Sequence, residues 1–324
     1  MNKIDIIIQP VQDELKAFDK FFKEILRGHN EDFQFMINFI AGKNGKRIRP
    51  LILILSAKLC GEINQNSIKY AAILELLHNA TLIHDDVVDN TMERRGQPSV
   101  NAEYNNQIAV LLGDYILSLA ITMGVETRSF EVLEILARLS RNLAEGELTQ
   151  LISSKESIID EKRYFEVIRK KTAILLSSCS EMGALSVNAD KDKIEKLRLI
   201  GENLGLCFQI KDDVFDYYEP GEIGKPTGND IREGKVTLPL IHALNSAPKE
   251  ISEPMLDIIY NQEFSTENIK VLADFAKEYK GIEYAYNKMY KIKEDILVLL
   301  DEFSDSEIKT AMINLVDYII ERNS

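Results

Sequence analysis

The sequence feature that most restricts the fold is the distribution of proline. No proline occurs between Ser99 and Glu219, and proline is the residue that interrupts helices most strongly. Within this stretch apolar residues recur at steps of three and four, as at Leu133, Leu136 and Leu139, which is the spacing of one helix face. The period of two that is typical of strands is not evident anywhere in the sequence. The sequence therefore predicts an all-α protein.

The long helices are predicted near residues 65–90, 128–154, 160–187 and 190–217. Several of them are apolar around much of their circumference, which is typical of central helices in a large bundle. Beyond residue 235 the predicted helices are shorter and more polar, and the last is an amphipathic helix near 305–322. No repeat and no low-complexity linker divides the sequence, so residues 1–324 are predicted to form a single domain.

The composition argues against one class of partner. A net charge of −13 leaves no general basic field to attract nucleic acid, so an anionic ligand would have to meet a few placed cations or metal ions. Cys60, Cys179 and Cys207 are widely separated and lack C-x-x-C spacing, which predicts neither disulfides nor a zinc site. The N-terminus lacks the pattern of a signal peptide. These features predict a cytoplasmic location.

One apolar stretch, Ile108 to Val125, raises the question of a membrane span. It carries Asp114 near its middle and is not framed by basic residues. A charge at that depth is unfavourable in a bilayer, so the stretch is predicted to be a buried core helix.

Two acidic clusters are the strongest functional signal, and both have the spacing D-D-x-x-D after an apolar run. Their members are Asp85, Asp86 and Asp89 in the first cluster and Asp212, Asp213 and Asp216 in the second. Residues four apart share a helix face, about 6 Å apart along the axis, so the first and last members of each cluster would form a pair of carboxylates. Such pairs repel unless divalent cations compensate, and oxygen ligands favour magnesium. If they faced each other, two such pairs could hold magnesium ions against one diphosphate.

Basic residues accompany the acidic clusters. They are Lys46 and Arg49 before a predicted helix, Arg94 and Arg95 after the first cluster, Lys171 within an apolar helix, and Lys225 and Lys235 beside a loop rich in glycine and proline. A lysine inside an apolar helix is costly unless it meets an anion. A diphosphate-binding site is therefore predicted.

Seven strings carry a family resemblance in order along residues 45–241: GKRIRP, LIHDDVVD, RRGQPSVN, LLGDYIL, KTA, FQIKDDVFD and GKPTGNDIREGKVTLPLI. Together they resemble the motifs of trans-isoprenyl diphosphate synthases, and most closely the long-chain, octaprenyl type. Asn44 stands where many relatives carry glycine, a small departure, because asparagine tolerates a left-handed turn.

The resemblance implies a large helical bundle with a deep central cavity, usually a homodimer. It also implies three Mg²⁺ ions per active site, with Asp85, Asp89 and Asp212 as ligands. The remaining aspartates of the two clusters would complete the site through water or as support.

The resemblance further implies the substrates and their ligands. An allylic diphosphate of the farnesyl or geranyl type would be held by Arg94, Lys171, Gln209 and Lys225. Isopentenyl diphosphate would be held by Lys46, Arg49, His78 and Arg95.

Chemistry is expected to proceed by ionisation followed by condensation. Thr172 and Gln209 would turn their dipoles toward the allylic carbocation. The loop from Lys225 to Lys235, anchored by Asp230, would close over the site and exclude water.

Product length is expected to depend on the residues just before the first cluster. Ala80 and Thr81 stand where bulky aromatic residues stop growth in short-chain relatives, and Leu77 lies a turn further away. An open floor favours a long product of about forty carbons for a quinone side chain, although Ala80 could equally be a small residue at a helix crossing. Such a product would favour peripheral membrane association for its release.

Four alternatives remain beside this interpretation. A short-chain farnesyl or geranylgeranyl diphosphate synthase differs only in the depth of the cavity, and a non-catalytic regulatory subunit tends to lose one of the motifs. A class I terpene cyclase has a different second metal motif. A metal-dependent phosphohydrolase would need more histidines than His78 and His84 provide, and His84 is expected to be hydrogen-bonded between helices.

Overall fold

The computed structural model describes residues 3–27, 34–41, 47–94, 96–218 and 228–322. The helices of the first part are α1 (Lys3–Ile8), α2 (Gln12–Ile25), α3 (Gln34–Ala41), α4 (Ile48–Cys60), α5 (Gln65–Val88), α6 (Val100–Glu103), α7 (Asn106–Glu126) and α8 (Phe130–Lys155), with a 3₁₀ turn at Gln9–Val11. Those that follow are α9 (Glu161–Ile168), α10 (Ile174–Ser186), α11 (Lys191–Phe215), α12 (Asn229–Arg232), α13 (Leu238–Ser246), α14 (Lys249–Tyr260), α15 (Thr266–Glu278), α16 (Gly281–Leu300) and α17 (Glu307–Glu321). A π-helical segment, Arg169–Ala173, joins α9 to α10.

The prediction of an all-α protein is confirmed. The described part of the chain adds only a small antiparallel hairpin, β1 (Glu93–Arg94) and β2 (Gln97–Pro98). Strands of two residues are too short to show a period in the sequence, so the sequence does not predict the hairpin.

The four long helices are found where they are predicted, with a difference in the third. Residues 161–186 are helical throughout, but the π-helical segment interrupts the α-helical pattern. Beyond residue 235, α16 is 20 residues long, longer than predicted. Its buried residues, such as Ala285, Met289 and Ile296, lie on one face. The other faces carry many polar residues, and for that reason the sequence predicts a shorter and more polar helix here.

The chain divides into two compact units, each built from three segments. The first unit comprises Met1–Arg138, Ser178–Arg198 and Ser306–Ala311, and the second comprises Leu139–Ser177, Leu199–Asp305 and Met312–Ser324. The single domain over residues 1–324 therefore stays a prediction.

The core of the first unit is formed by α4, α5 and α7. Eight consecutive residues of α4, from Pro50 to Ala57, are buried, because this helix is apolar on every side. Asn64 caps α5 and forms a capping box with Ser67, which satisfies backbone donors at the start of the helix that carries the first acidic cluster.

The packing of α7 against α5 depends on a glycine. A Cβ atom at Gly113 would lie 2.4 Å from Nε2 of His84, so only glycine admits the imidazole at this point. The ring nitrogen lies 3.2 Å from the carbonyl oxygen of Val110 and 3.3 Å from a carboxylate oxygen of Asp114. His84 is thus hydrogen-bonded between helices, as expected.

The core of the second unit gathers around α13 and α15. Leu240, Ala243, Leu272 and Phe275 are buried there together with Tyr217, which follows α11. The phenol of Tyr217 forms a hydrogen bond of 2.8 Å with the hydroxyl of Thr237, so this buried polar group is satisfied.

Helix α7 is the one described helix that is long and apolar enough to span a membrane, and only 39% of its apolar window is buried. Leu112, Ile116 and Ala120 face the core. Leu111 and Val125 on the opposite side are 68% and 56% exposed. The prediction of a core helix therefore describes one face only, and the other face is an apolar surface.

Candidate active site

The first acidic cluster lies at the C-terminal end of α5. Asp85 and Asp86 belong to its last turn, which contains no basic residue, and Asp89 is the residue that follows the helix. The helix dipole places partial negative charge at this end, so carboxylates here are unfavourable unless a cation compensates. The arrangement is therefore one that a cation would stabilise.

Asp86 has its own partner within the first unit. Its side chain is 3% exposed, and one of its carboxylate oxygens accepts hydrogen bonds of 2.6 Å from Nε and Nη2 of Arg94. Arg94 reaches it from β1. The ion pair occupies Asp86 and leaves the guanidinium 30% exposed, so Arg94 can still present donors to an anion.

The second acidic cluster repeats this placement at the C-terminal end of α11. Asp212 and Asp213 lie in the last turn, again without a basic residue, and Asp216 follows it. Oδ1 of Asp212 lies 2.9 Å from Nη2 of Arg322. The guanidinium of Arg322 lies over the ring of Phe208, 4.2 Å from its centroid, which adds a cation–π contact.

Asp213 lies at the centre of a hydrogen-bonded network in the second unit. Tyr164 donates to its Oδ2 at 2.6 Å, and Nε2 of Gln209 donates to its Oδ1 at 2.7 Å. Oε1 of Gln209 in turn accepts from the hydroxyl of Thr172 at 2.7 Å. Burial and the nearby charge of Asp230 raise the pKa of Asp213 well above its ordinary value, while the hydrogen bonds from Tyr164 and Gln209 act to lower it.

Asp216 serves as the anchor of the short helix α12. Its two carboxylate oxygens accept from the backbone N–H groups of Asn229 and Asp230, both at 2.9 Å. Burial raises the pKa of Asp216, and these backbone hydrogen bonds oppose the rise. Burial also raises the pKa of Asp230 to about 6, despite the nearby Lys235. Burial thus makes ionisation of Asp213, Asp216 and Asp230 less favourable than in water.

A cavity of about 200 Å³ opens beside this network. Six residues with predicted roles line it, namely Lys171, Thr172, Gln209, Asp213, Asp230 and Lys235. It is also lined by Arg163, Tyr164 and the apolar side chains of Val167, Ile168 and Ile241. The combination of an apolar wall with a few convergent polar groups is typical of a substrate site.

Lys171 and Thr172 project from the π-helical segment, a local structure that is frequent at functional sites. Glycines on two helices admit its backbone. A Cβ at Gly146 of α8 would lie 2.7 Å from the backbone nitrogen of Lys171, and one at Gly205 of α11 would lie 2.4 Å from Cα of Ala173. The ammonium of Lys171 is held by Glu147 at 2.6 Å, which compensates its charge inside the apolar helix.

The first basic motif is built around Glu75, a residue that sequence reasoning missed. Glu75 is 6% exposed within α5, and its two carboxylate oxygens lie 3.2 Å from Arg47 and 3.9 Å from Arg49. Arg47 has a φ of 52° at the start of α4. A glutamate among the apolar residues of α5 was the available signal, because a buried charge needs a partner.

Tyr164, Glu147 and Arg322 were also missed. Each contacts a residue with a predicted role, but each lies in another helix or beyond the end of one, far away in the sequence. None belongs to a motif, so no signal in the sequence could have found them.

Several predicted residues remain to be placed. Lys46, Arg95 and Lys225 lie outside the described residues. His78 is buried on α5 with 8% exposure. Lys235 lies 2.5 Å from Glu233 and 3.7 Å from Asp230, and the role of Asp230 as an anchor of the loop stays a prediction.

The residues predicted to set product length lie on the buried side of α5. Leu77 and Ala80 are each 1% exposed, and the hydroxyl of Thr81 donates to the carbonyl oxygen of His78 at 2.9 Å. Ile116 and Ala120 of the neighbouring helix α7 are fully buried. The helices therefore bring these small and aliphatic side chains into the interior of the first unit.

The donor set fits a divalent cation that shares its ligands with a substrate. Within the described residues, no three His, Cys, Asp or Glu side chains converge to hold a metal by themselves. Magnesium is ordinarily bound through one or two carboxylates together with phosphate oxygens and water. The carboxylates at the C-terminal end of a helix, as in either cluster, can provide those one or two protein ligands.

Comparison with known proteins gives a consistent result. A family model described as polyprenyl synthetase matches residues 30–275. The octaprenyl diphosphate synthase of Haemophilus influenzae is 35% identical over 88% of this chain and 87% of its own length.

Two solved structures are similar over nearly their whole length. A polyprenyl synthase from Caulobacter crescentus CB15, complexed with calcium and isoprenyl diphosphate, is 32% identical with a TM-score of 0.91, covering 99% of this chain and 98% of that one. A geranylgeranyl pyrophosphate synthase from Bacteroides thetaiotaomicron is 36% identical with a TM-score of 0.85, covering 99% and 100%.

The helical fold and the paired aspartate motifs define a prenyltransferase of the prenyl diphosphate synthase class. The chain belongs to the polyprenyl synthetase family. Membership implies isopentenyl and allylic diphosphates as substrates, and members of the family generally depend on a divalent metal.

Replacing Asp230 with asparagine should stabilise the protein at pH 7.5 and have little effect at pH 4. Because burial raises the pKa of Asp230 from 3.8 to about 6, the folded state binds more protons than the unfolded state between these values, and stability falls as the pH rises through this window. Removing the buried charge should raise the free energy of unfolding by roughly 1–3 kcal/mol at pH 7.5. Thermal unfolding in EDTA at both pH values measures the effect.

The exposed residue Asp274 on α15 provides the matched control. Asp274→Asn should leave the thermal midpoint unchanged at either pH. An equal gain for Asp230→Asn at both pH values would contradict the assignment of the effect to a buried charge.

Proposed function

We propose that this protein catalyses the Mg²⁺-dependent condensation of isopentenyl diphosphate with an allylic diphosphate to give a long trans-polyprenyl diphosphate, of about forty carbons, for a quinone side chain. The observation that carries this proposal is the placement of both aspartate motifs at the C-terminal ends of long helices that contain no basic residue in the last turn. Carboxylates in that position are stabilised by cations, and divalent cations do so most strongly. Cations so placed serve to bind diphosphate.

Asp85, Asp89 and Asp212 are the proposed metal ligands. Asp86 and Asp216 are proposed to support the site, where Asp86 pairs with Arg94 and Asp216 accepts from backbone N–H groups of α12. An ion bound at Asp212 would replace or share its contact with Arg322. A divalent cation, when bound, neutralises the charge that develops on the departing diphosphate.

The side chains beside the cavity bind and orient the allylic substrate. Lys171 supplies a positive charge for its diphosphate, and Glu147 holds that ammonium in place at 2.6 Å. Thr172 and Gln209 present oxygen atoms to the allylic group, where positive charge develops as the C–O bond breaks. Val167, Ile168 and other apolar residues of the cavity wall exclude water, which would otherwise capture the carbocation.

A long product is supported by the residues before the first cluster. Ala80 is 1% exposed on α5, and the buried residues Leu77 of α5 and Ile116 of α7 are aliphatic, so no aromatic side chain is present at these positions to stop a growing chain. The relatives include an octaprenyl diphosphate synthase and a geranylgeranyl pyrophosphate synthase at similar identity. Product length is therefore proposed from these side chains and not from the relatives.

The first test is incubation of the purified protein with farnesyl diphosphate, labelled isopentenyl diphosphate and Mg²⁺, followed by chromatography of the dephosphorylated products. A ladder that ends at a long polyprenol is expected. Asp85→Ala and Asp212→Ala should each reduce turnover at least a hundredfold, because each removes a proposed metal ligand. Asp274→Ala, on the exposed side of α15, should have wild-type activity.

Near-normal turnover in either metal-ligand variant would reject the metal assignment. An absence of incorporation by folded wild-type protein, with geranyl diphosphate also tried, would reject the proposed activity and favour a regulatory subunit.

The second test concerns product length. Ala80→Tyr should shorten the major product, because a bulky ring at this buried position of α5 would obstruct the growing chain. Chromatography of the products measures the change. Asn79→Tyr adds the same bulk one residue away on a different, partly exposed face and should leave the product unchanged. If Ala80→Tyr gives the wild-type spectrum, Ala80 packs against α7 without limiting the product.

We also propose that the protein is a homodimer that uses the outer face of α7. Leu111, Ile121 and Val125 are 68%, 48% and 56% exposed, and their spacing follows one side of the helix. Asp114, 60% exposed, lies in the same stretch, and a charge there disfavours a bilayer as the covering environment. A second copy of the same face would bury the apolar residues, and Asp114 within that face already has a partner in His84, 3.3 Å away.

Leu111→Glu is therefore expected to convert a dimer into a monomer of 36.9 kDa, because it places a charge in the apolar interface. Light scattering after size-exclusion chromatography measures the mass. Val298→Glu changes an equally exposed residue, also at 68%, on α16 and should leave the dimer intact. A monomeric wild-type protein would reject the proposal.

A cytoplasmic location is proposed on the chemistry of the cysteines. All three are free thiols, and burial raises the pKa of Cys60 to about 11 and those of Cys179 and Cys207 to about 12. They therefore behave as small apolar residues. Peripheral membrane association, if the product is long, would serve its release from the enzyme.

A further inference from the structure

Four side chains of the second unit form a hydrogen-bonded chain along the wall of the cavity. Tyr164 of α9 donates to Oδ2 of Asp213 at 2.6 Å, and Nε2 of Gln209 donates to Oδ1 of the same carboxylate at 2.7 Å. Thr172 of the π-helical segment then donates to Oε1 of Gln209 at 2.7 Å. All four residues line the cavity. The chain thus connects a buried phenol to a hydroxyl on the side of the cavity where Lys171 lies.

The direction of the hydrogen bonds in this chain follows from which atoms of Gln209 face its two partners. Its NH₂ group lies 2.7 Å from Oδ1 of Asp213 and donates to it. Its carbonyl oxygen faces the hydroxyl of Thr172. Because a hydroxyl has a single proton, Thr172 donates that proton to Gln209 and can offer only lone pairs to any other group.

This polarity has a consequence for the cavity. Thr172 presents oxygen acceptors and no donor beside the apolar wall, so this part of the cavity favours positive over negative charge. Lys171, the adjacent residue, carries the positive charge that a diphosphate requires. Lys171 is therefore suited to the anionic diphosphate, and its neighbour Thr172 to the allylic group on which positive charge develops.

Tyr164 determines how firmly the chain is held. Without its hydroxyl, Asp213 would keep only Gln209 as a neutral donor, and its carboxylate could rotate. Gln209 would then lose the fixed partner that determines which way its amide points. Tyr164 is 8% exposed, so water has little access to replace its hydroxyl.

We propose that Tyr164 is a positioning residue for prenyl transfer, which acts through Asp213 and Gln209 to turn the oxygen lone pairs of Thr172 toward the substrate. This inference rests on the proposed function, because it assigns Tyr164 a part in that reaction. Tyr164 itself does not contact the reacting atoms.

Tyr164→Phe tests the proposal, since phenylalanine keeps the ring and removes one oxygen. Loss of this buried hydrogen bond to Asp213 should lower kcat by about tenfold or more. The KM for the allylic diphosphate should change by less than about threefold, because the acceptors are needed where charge develops and not for binding of the ground state.

Tyr284→Phe is the matched control. Tyr284 also donates to a carboxylate, Glu161 at 2.9 Å, but it does not line the cavity. Its kcat should remain within about twofold of wild type. Equal losses in the two variants would show a general effect of a missing tyrosine hydroxyl and would overturn the proposal.

A double-mutant cycle distinguishes a positioning role from a merely structural one. If Tyr164 acts through Thr172, then Tyr164→Phe should add less than about a twofold loss once Thr172→Val has removed the hydroxyl. Multiplicative losses would overturn the proposal. Thr172→Ser, which retains the hydroxyl, should keep most of the activity and restore the sensitivity to Tyr164→Phe.

A second cycle covers the case in which Tyr164→Phe does not fold. Gln209→Met combined with Thr172→Val tests the same chain from its middle, and multiplicative losses there would also overturn the proposal, because Tyr164 could then not act through Gln209. The two levels of failure are separable. An inactive wild-type protein rejects the proposed function, whereas an active wild-type protein with an unaffected Tyr164→Phe variant rejects only this inference.

Discussion

The chemistry of this protein depends on aspartates at the C-terminal ends of two helices, α5 and α11, where the helix dipole makes negative charge unfavourable. Burial adds to this cost at Asp86 and Asp213, which have little contact with water. Burial of apolar side chains on these long helices offsets this unfavourable free energy. At both helix ends, cations or cationic side chains can therefore stabilise the folded protein.

Residues of the protein itself stabilise several of these aspartates, each through a different kind of partner. Asp86 takes the guanidinium of Arg94, Asp212 contacts Arg322, and Asp216 receives backbone N–H groups from α12. Asp213 is held by neutral donors only, which satisfy its hydrogen bonds without neutralising its charge. Burial raises the pKa values of Asp213 and Asp230, and a neighbouring carboxylate adds to the rise in each case. Family members generally depend on a divalent metal, and carboxylates are suitable ligands for such an ion.

The second physical theme is close approach of helix backbones. Gly146 and Gly205 admit the π-helical segment, and a side chain at either position would collide with its backbone. The wider turn of a π-helix changes the directions in which successive side chains project. Lys171 and Thr172 thereby reach one cavity, where one carries a positive charge and the other offers an acceptor. Backbone packing in this way determines the polarity of the cavity wall.

The sequence by itself determined the helical class, the long helices and the residue types of the site. The period of apolar residues decides which faces are buried, and the D-D-x-x-D spacing needs only one turn of helix to bring its carboxylates together. The hairpin at Glu93–Arg94 was too short to leave a pattern. Tertiary structure alone decided the partners, because Tyr164, Glu147 and Arg322 reach their contacts from helices far away in the sequence. Local periodicity cannot encode such contacts, since they depend on how packed helices bring remote side chains within hydrogen-bonding distance.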